Sequence, residues 1–274
     1  MAERDVRFIH EAEVLANDAV APGHLRMRVR AEEMARHARA GQFCMVQTAR
    51  GLAPFLRRPM CFERILPDGF QLLYKIEGEG TRLLAEMTPG TRLSIQGPLG
   101  NGFDAGPDVA RRIIVAGGIG VAPFPALADA ILAACGEPPE VVLAARTRDM
   151  LLCADLFGAL GCRVHLATDD GSAGERAYAA QMLERLEPGP DTRVYACGPI
   201  IMMKTTADVA LAAGAECHVS LEAHMACGDG ACLGCVVEAR EEREGERMVR
   251  VCVDGPVFDA RIIDWEARDH AHDL

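Results

Sequence analysis

The sequence predicts a β + α/β protein with an N-terminal antiparallel barrel, a doubly wound parallel-sheet domain and a small C-terminal cysteine module. Up to about residue 100, apolar runs of strand length are punctuated by turn signals such as Pro22-Gly23, Pro67-Asp68-Gly69 and Pro89-Gly90. After about residue 110, apolar strands alternate with longer helical stretches. The chain then closes with four cysteines in the spacing Cys227-x4-Cys232-x2-Cys235-x16-Cys252.

In the first region strands are expected at 6–15, 24–30, 42–48, 59–65, 70–77 and 91–96, with a single helix at 81–87. Short strands with regular turns are the pattern of an antiparallel barrel or sandwich. The run Gly97-Pro98-Leu99-Gly100-Asn101-Gly102-Phe103 is a linker and sets the first domain at 1–103. Strands at 112–116, 141–145, 163–168, 193–196 and 217–221, with helices at about 122–134, 150–160, 175–186 and 200–213, make a parallel sheet in 104–221. In 222–274, residues 236–240 and 248–253 form a hairpin that returns Cys252 beside Cys235. Its charged tip, 241–247, is a solvated turn. There is no internal repeat or low-complexity tract.

A chain of 274 residues, half of them apolar, buries a sizeable core and has room for two domains. No stretch approaches the length of an apolar membrane span, and Met1-Ala2-Glu3-Arg4-Asp5 lacks the form of a signal peptide, so a soluble, cytoplasmic protein is expected. Seven of the eleven cysteines (Cys44, Cys61, Cys135, Cys153, Cys162, Cys197 and Cys217) are scattered and read as mostly reduced core residues. A net charge of −11 argues against nucleic acid and anionic membranes as partners. It leaves room for a phosphorylated cofactor, because glycine loops and helix N-termini bind phosphate whatever the global charge.

Three cysteines on one tight loop, with a fourth returning from a distance, form the plant-type ligand pattern of a 2Fe-2S cluster. Gly228-Asp229-Gly230-Ala231 and Leu233-Gly234 let the backbone curl and point N–H groups at the sulfurs. A structural zinc site is the alternative. Zinc usually draws on two separated cysteine knuckles, so the spacing favours the cluster. In the α/β domain, Ile113-Ile114-Val115-Ala116 runs into Gly117-Gly118-Ile119-Gly120-Val121-Ala122-Pro123, a strand–turn–helix suited to a dinucleotide pyrophosphate. Pro123 stands where the usual fingerprint has its last glycine, and a structural turn is the alternative. Cys197-Gly198-Pro199 sits at the carboxyl end of a later strand, as a ligand site or an ordinary βα turn. In the barrel, Arg58 offers a fixed charge and Gly80-Thr81 the opening of a helix, suited to a phosphate or equally to a surface arginine and a helix cap.

In order, Arg58-Pro59-Met60-Cys61, Gly78-Glu79-Gly80-Thr81, Gly97 to Phe103, Gly117 to Pro123, Cys197-Gly198-Pro199 and the terminal cysteine loop resemble the ferredoxin reductase superfamily. More closely, Ser220 to Cys235 and Val251 to Phe258 resemble the electron-transfer subunit of class 1B (NAD-dependent) dihydroorotate dehydrogenase. The resemblance implies FAD, a 2Fe-2S cluster and NAD as cofactors. It places Arg58, Pro59, Met60 and Cys61 at the flavin, with Leu73, Tyr74 and Lys75 on the next strand and Gly80 and Thr81 at the FAD pyrophosphate. Gly118, Gly120, Pro123, Cys197, Gly198 and Pro199 would face NAD, and Cys227, Cys232, Cys235 and Cys252 would hold the cluster. It further implies an FMN-containing dihydroorotate dehydrogenase catalytic subunit as partner, in a heterotetramer serving pyrimidine biosynthesis. Cys61 departs from the family, which usually has Ser or Thr there, and a thiol is the weaker donor.

These parts share a chemical logic. A nicotinamide exchanges two electrons at once and a 2Fe-2S cluster takes one, so a flavin between them splits the pair. No nucleophile or general base for an organic substrate stands out, and the lone His224 reads as a packing or surface residue. One rival reading is an NAD(P)H diaphorase or ferredoxin-reducing subunit of a hydrogenase or bifurcating complex. Another is a zinc-stabilised binding or regulatory module. Arg146 and Arg148 could meet a 2′-phosphate and Asp149 a ribose hydroxyl, which leaves NAD and NADP both open.

Overall fold

The computed structural model describes residues 8–49, 51, 53–243 and 246–268. Its first unit is a seven-stranded antiparallel sheet made of β1 (Phe8–Ala21), β2 (His24–Arg30), β3 (Phe43–Val46), β4 (Arg58–Cys61), β5 (Arg64–Leu66), β6 (Gly69–Lys75) and β7 (Arg92–Leu99). The spatial order is β4-β3-β7-β1-β2-β6-β5. The two edge strands are consecutive in the chain and joined only by Phe62 and Glu63, so the sheet curls into a barrel. The Phe62 N–H donates to the Gln42 carbonyl at 3.4 Å, on the β3 side, while the Glu63 N–H donates to Gln71 at 2.8 Å, on β6. The strand expected at 59–65 is therefore two strands that pair with opposite edges. Val14, Met27, Val29, Phe62, Phe70, Leu72 and Ile95 fill the interior.

Two helices interrupt these strands where one was expected. α1 (Glu32–His37) buries Met34 and Ala35 and carries a Glu32–Arg36 pair one turn apart. α2 (Glu79–Ala85) covers most of the expected helix and starts two residues earlier. The first strand runs on to Ala21 because residues 16–21 pair with β2 across the Pro22-Gly23 turn; residues 6 and 7 lie outside the described residues.

The second unit contains β8 (Arg111–Gly117), α3 (Phe124–Cys135), β9 (Glu140–Ala145), α4 (Ala154–Ala159), β10 (Arg163–Thr168), α5 (Ala179–Arg185), β11 (Thr192–Cys197), α6 (Ile200–Ala212) and β12 (Glu216–Ser220). The parallel order is β10-β9-β8-β11-β12. The helices are shorter than expected, α4 and α5 most of all. The 3-10 turn Gly118–Val121 precedes α3, a second 3-10 turn at Arg148–Met150 precedes α4, and Glu175 bridges to the edge strand β10 instead of joining α5. The stretch Gly118–Cys135 is long and apolar enough to cross a membrane by length and composition, but 56% of it is buried inside the protein, as a core helix is.

The C-terminal segment is woven into both units. β13 (Val236–Arg243) and β14 (Glu246–Arg250) form the expected hairpin, whose tip residues 244 and 245 lie outside the described residues. β14 ends at Arg250, and Val251 to Asp254 form a turn rather than more strand. β15 (Val257–Asp259) then pairs antiparallel with β12 as the sixth strand of the α/β sheet, before α7 (Trp265–Arg268). The linker is pinned at both ends. Asn101 donates to the carbonyls of Asp254 and Val257 at 3.0 and 2.9 Å and accepts from the Val257 N–H at 3.0 Å. Arg193, 4% exposed, holds Asp104, Asp108 and Glu216 at 3.1, 2.6 and 2.6 Å.

Candidate functional site

The cysteine loop combines exposed and buried thiols. Cys232 is exposed and Cys227 half-buried, while Cys235 and Cys252 are buried. The loop turns at Gly228 and Gly230 with φ of 75° and 88°, in the left-handed region that favours glycine. Backbone N–H groups point at sulfur as the sequence requires: Cys232 N–H to Cys227 Sγ and Gly234 N–H to Cys232 Sγ, both at 3.4 Å. The Gly234 N–H and then Cys227 bring the Cys232 thiol down to about 7. Burial, then Cys235, push the Cys252 thiol up to about 12, with Cys227 adding to the effect. Cys227 thus interacts with both Cys232 and Cys252, and Cys252 with Cys235, and the Val251 N–H bound to the Cys235 carbonyl at 3.1 Å holds the returning segment beside the loop. Among the described residues no three His, Cys, Asp or Glu side chains close on a single-ion site.

This loop rests on the barrel. A Cβ on Gly228 would lie 2.6 Å from Met45 Cγ and 3.1 Å from Leu99 Cδ1, so only a bare glycine permits the approach to β3 and β7. Phe43, Met45 and Leu99 share one continuous core with Cys235, Cys252 and the α/β strands.

On the barrel, strand alternation divides the predicted residues. Met60 and Tyr74 turn into the barrel core, and the Tyr74 hydroxyl donates to Asn17 Oδ1 at 2.8 Å. Of the residues expected at the flavin, those two therefore give their side chains to the barrel core. Cys61 turns instead to the core shared with the cysteine loop and Leu73 to the core shared with α3. The Lys75 ammonium pairs with Glu77. Arg58 and Gly80 come together: a Cβ on Gly80 would lie 2.5 Å from Arg58 Nε. The Thr81 hydroxyl accepts from the Glu77 and Gly78 N–H groups at 2.9 and 3.2 Å, so its visible work is to cap α2.

At the carboxyl edge of the α/β sheet, the glycine turn and the Cys197 turn close on each other. A Cβ on Gly120 would lie 2.5 Å from the Cys197 carbonyl oxygen and 2.6 Å from Gly198 Cα. Gly118 has φ of 55° and opens the 3-10 turn, and Pro123 caps α3 beyond it. Parallel pairing of Ala196 with Val219 sets Cys197 beside Ser220, and Glu222 follows two residues later. Arg148 is engaged by the neighbouring loop, donating from Nε and Nη2 to the Ser172 carbonyl at 3.0 and 2.7 Å.

One ion pair within the barrel that takes a thiol from the α/β unit, and one bidentate pair between the units, set the barrel against the α/β unit. Arg26 donates to the fully buried Glu63 through Nε and Nη2, each at 2.7 Å, and the Cys153 thiol donates to the same carboxylate at 3.3 Å. Arg64 on β5 grips Asp129 on α3 at 2.9 and 3.1 Å. A cavity of about 460 Å³ opens beside that second pair, and none of the predicted site residues lines it.

Glu222 escaped the sequence reading. Its side chain is exposed, and neighbouring protein atoms raise its pKa by desolvation. Its charge acts on two thiols. Burial and then Glu222 push Cys61 up to about 12, and burial, Glu222 and Cys61, in that order, raise Cys197 further. Glu222 lies within the Ser220–Cys235 stretch that carries the family resemblance, but nothing local in the sequence assigns it a role.

Residues 222–264 match the family of the iron-sulfur cluster binding domain of dihydroorotate dehydrogenase B, and residues 114–208 match the oxidoreductase NAD-binding domain. The "Dihydroorotate dehydrogenase B (NAD(+)), electron transfer subunit" of Desulforamulus reducens is 36% identical over 94% of this chain and 99% of its own length. The protein of the same name from Caldanaerobacter subterraneus subsp. tengcongensis is 36% identical over 92% and 97%. Among solved structures, an NADH-dependent reduced ferredoxin-NADP oxidoreductase studied for flavin-based electron bifurcation superposes with a TM-score of 0.82 at 27% identity, covering 98% of this chain and 94% of that one. A ferredoxin reductase of carbazole 1,9a-dioxygenase shares the fold, with a TM-score of 0.67 at 24% identity over 78% and 68% of the two chains.

Proposed function

The chain belongs to the family of electron transfer subunits of dihydroorotate dehydrogenase B (NAD(+)), and from that premise we propose that it carries electrons between a partner's FMN and NAD+ through a 2Fe-2S cluster and FAD. It is an oxidoreductase subunit, and dihydroorotate is oxidised on the partner catalytic polypeptide, in a heterotetramer. The observation that carries the reading is the seat of the cysteine loop. Gly228 against Met45 and Leu99 puts the loop on the barrel strand β3, which pairs with the flavin strand β4.

The residues fit the groups assigned to them. Cys227, Cys232, Cys235 and Cys252 would hold the cluster, since the four thiols interact pairwise and N–H groups already aim at two of the sulfurs. Arg58 with the Gly80 backbone would bind the FAD pyrophosphate, because glycine lets the guanidinium and the α2 N-terminus converge. Pro59, Cys61, Leu73 and Lys75 would border the flavin by side chain, Met60 and Tyr74 by backbone alone. Gly118, Gly120 and Pro123 with Cys197, Gly198 and Pro199 would seat NAD at the switch between β8 and β11, where the carboxyl ends of open sheets bind ligands. When bound, the flavin supplies the exchange between single electrons and a hydride. The chain's residues orient the carriers and hold the two units at fixed separation. The half-buried and exposed part of the loop, with Leu233 57% exposed, is the docking face for the partner.

An absorption spectrum with metal analysis of anaerobically purified protein tests the assignment. Flavin bands with iron–sulfur absorption are expected, and Cys232→Ser should lose the iron–sulfur component while keeping flavin. A colourless protein with stoichiometric zinc would contradict it.

A further inference from the structure

The fourth cysteine returns to its loop in a turn that one ion pair closes. Arg250 is the last residue of β14 and pairs with Val236, the residue after Cys235. Its carbonyl accepts the N–H groups of Val253, Asp254 and Gly255 at 3.2, 2.8 and 3.3 Å. The Asp254 carboxylate reaches back across the turn: Oδ2 accepts from the Arg250 backbone N–H at 2.8 Å and from Nε at 3.1 Å, and Oδ1 accepts from Nη2 at 3.2 Å. Val251, Cys252 and Val253 are therefore enclosed between the two ends of one bidentate pair. The far end of the turn is held as well, because the Asp254 carbonyl accepts from Asn101 Nδ2 at 3.0 Å.

The third guanidinium nitrogen lies on the other side, against the cysteine loop. A Cβ on Gly230 would meet Val253 Cγ2 at 2.7 Å and Arg250 Nη1 at 3.3 Å, and Nη1 is the one charged group among the three atoms nearest that point. Gly230, with φ of 88°, thus lets the loop between Cys227 and Cys232 come down on the guanidinium.

We propose that Arg250 is a positioning residue for the iron–sulfur centre: with Asp254 it clamps the turn that carries Cys252, and it sets a fixed positive charge against the loop that carries Cys227 and Cys232. The proposal rests on the reading of the four cysteines as cluster ligands. A 2Fe-2S centre held by four thiolates becomes more negative by one charge when it takes an electron, so a neighbouring cation favours the reduced state and raises the potential. In the relay that electron comes from the partner's FMN and passes on to FAD, and no bond is made or broken. Arginine suits both tasks, because its charge does not titrate and its planar fork grips a carboxylate with two nitrogens while a third meets the loop. The Arg250 and Asp254 side chains are 40% and 30% exposed, so the charge acts at the strength of a surface pair, about threefold in a one-electron equilibrium, or ~30 mV.

The test follows the iron–sulfur centre in the anaerobically purified complex, by electron paramagnetic resonance during a redox titration and by iron release to a chelator. Arg250→Gln should lower the midpoint potential by ~30 mV. Asp254→Asn, which removes the opposing charge, should raise it, and Arg250→Lys should keep the parent's value. All three should release iron severalfold faster than the parent, since each breaks the fork. A general loosening of the turn cannot move the potential in opposite directions in Arg250→Gln and Asp254→Asn. Equal potentials in the parent and those two variants, shifts of one sign in both, or iron release at the parent's rate in all three would overturn the proposal. If Arg250→Gln assembles no cluster, Arg250→Lys and Asp254→Asn decide between them: an unchanged and a raised potential support the proposal, and equal potentials contradict it. A parent complex with no iron–sulfur signal would instead overturn the functional reading beneath it, and the proposal with it.

Discussion

Cys61 on β4, proposed to border the flavin, has its thiol pushed up to about 12, chiefly by burial, and the family resemblance implies a hydroxyl at this position. A hydroxyl donates a stronger hydrogen bond than a thiol. Cys61→Ser should therefore shift the flavin midpoint potential in a spectroelectrochemical titration; equal potentials would contradict the placement. Gly120 makes a stricter demand, since a methyl there would lie 2.5 Å from a backbone oxygen that cannot move aside. Gly120→Ala should cost about 1–3 kcal/mol by overpacking and weaken NADH binding, read by thermal unfolding and ligand titration together. Glu63 is fully buried and its partner Arg26 is 24% exposed. Glu63→Gln should lower stability by about 3 kcal/mol, the lower end for breaking a buried pair because Arg26 keeps some solvent, and denaturant unfolding measures it. At this scale the sequence was partly legible. Cysteine and glycine spacings announce themselves locally, whereas Glu63 and Glu222 gain meaning only from groups brought to them by distant segments.

Elements with their own periodicity were the most legible. β2 and β10 have the bounds expected from their apolar pattern, and the hairpin β13–β14 forms around its charged turn. The misses are long-range. The break between β4 and β5 exists because Phe62 bonds back to Gln42 while Glu63 bonds forward to Gln71, a choice made by barrel closure rather than by local propensity. The short start of α5 likewise follows from Glu175 pairing with an edge strand. For the cysteine loop, Gly228→Ala combines a φ of 75° with a contact on Met45. It should cost at least about 1–2 kcal/mol from backbone strain and reduce iron per chain, measured by iron analysis and absorption.

At the scale of the molecule, the C-terminal segment is the fastener. β15 completes the α/β sheet, Asn101 ties the linker to it, and the cysteine loop lies on the barrel, so 222–268 touches both other units. The sequence reading of three successive units captured their order but not this interweaving, since three residues of strand carry little pattern of their own. One continuous core runs from Met45 through Cys235 and Cys252 to the α/β strands, so on the proposed assignment the cluster's cysteines and the hydride carrier's domain would share it. Dihydroorotate-dependent reduction of NAD+ by the anaerobically co-purified two-subunit complex tests that relay most directly. The relay requires NADH to form at the rate of dihydroorotate oxidation in the parent and to stop in Cys232→Ser while the partner still oxidises dihydroorotate with an artificial acceptor. Undiminished NADH formation by the Cys232→Ser complex would contradict it.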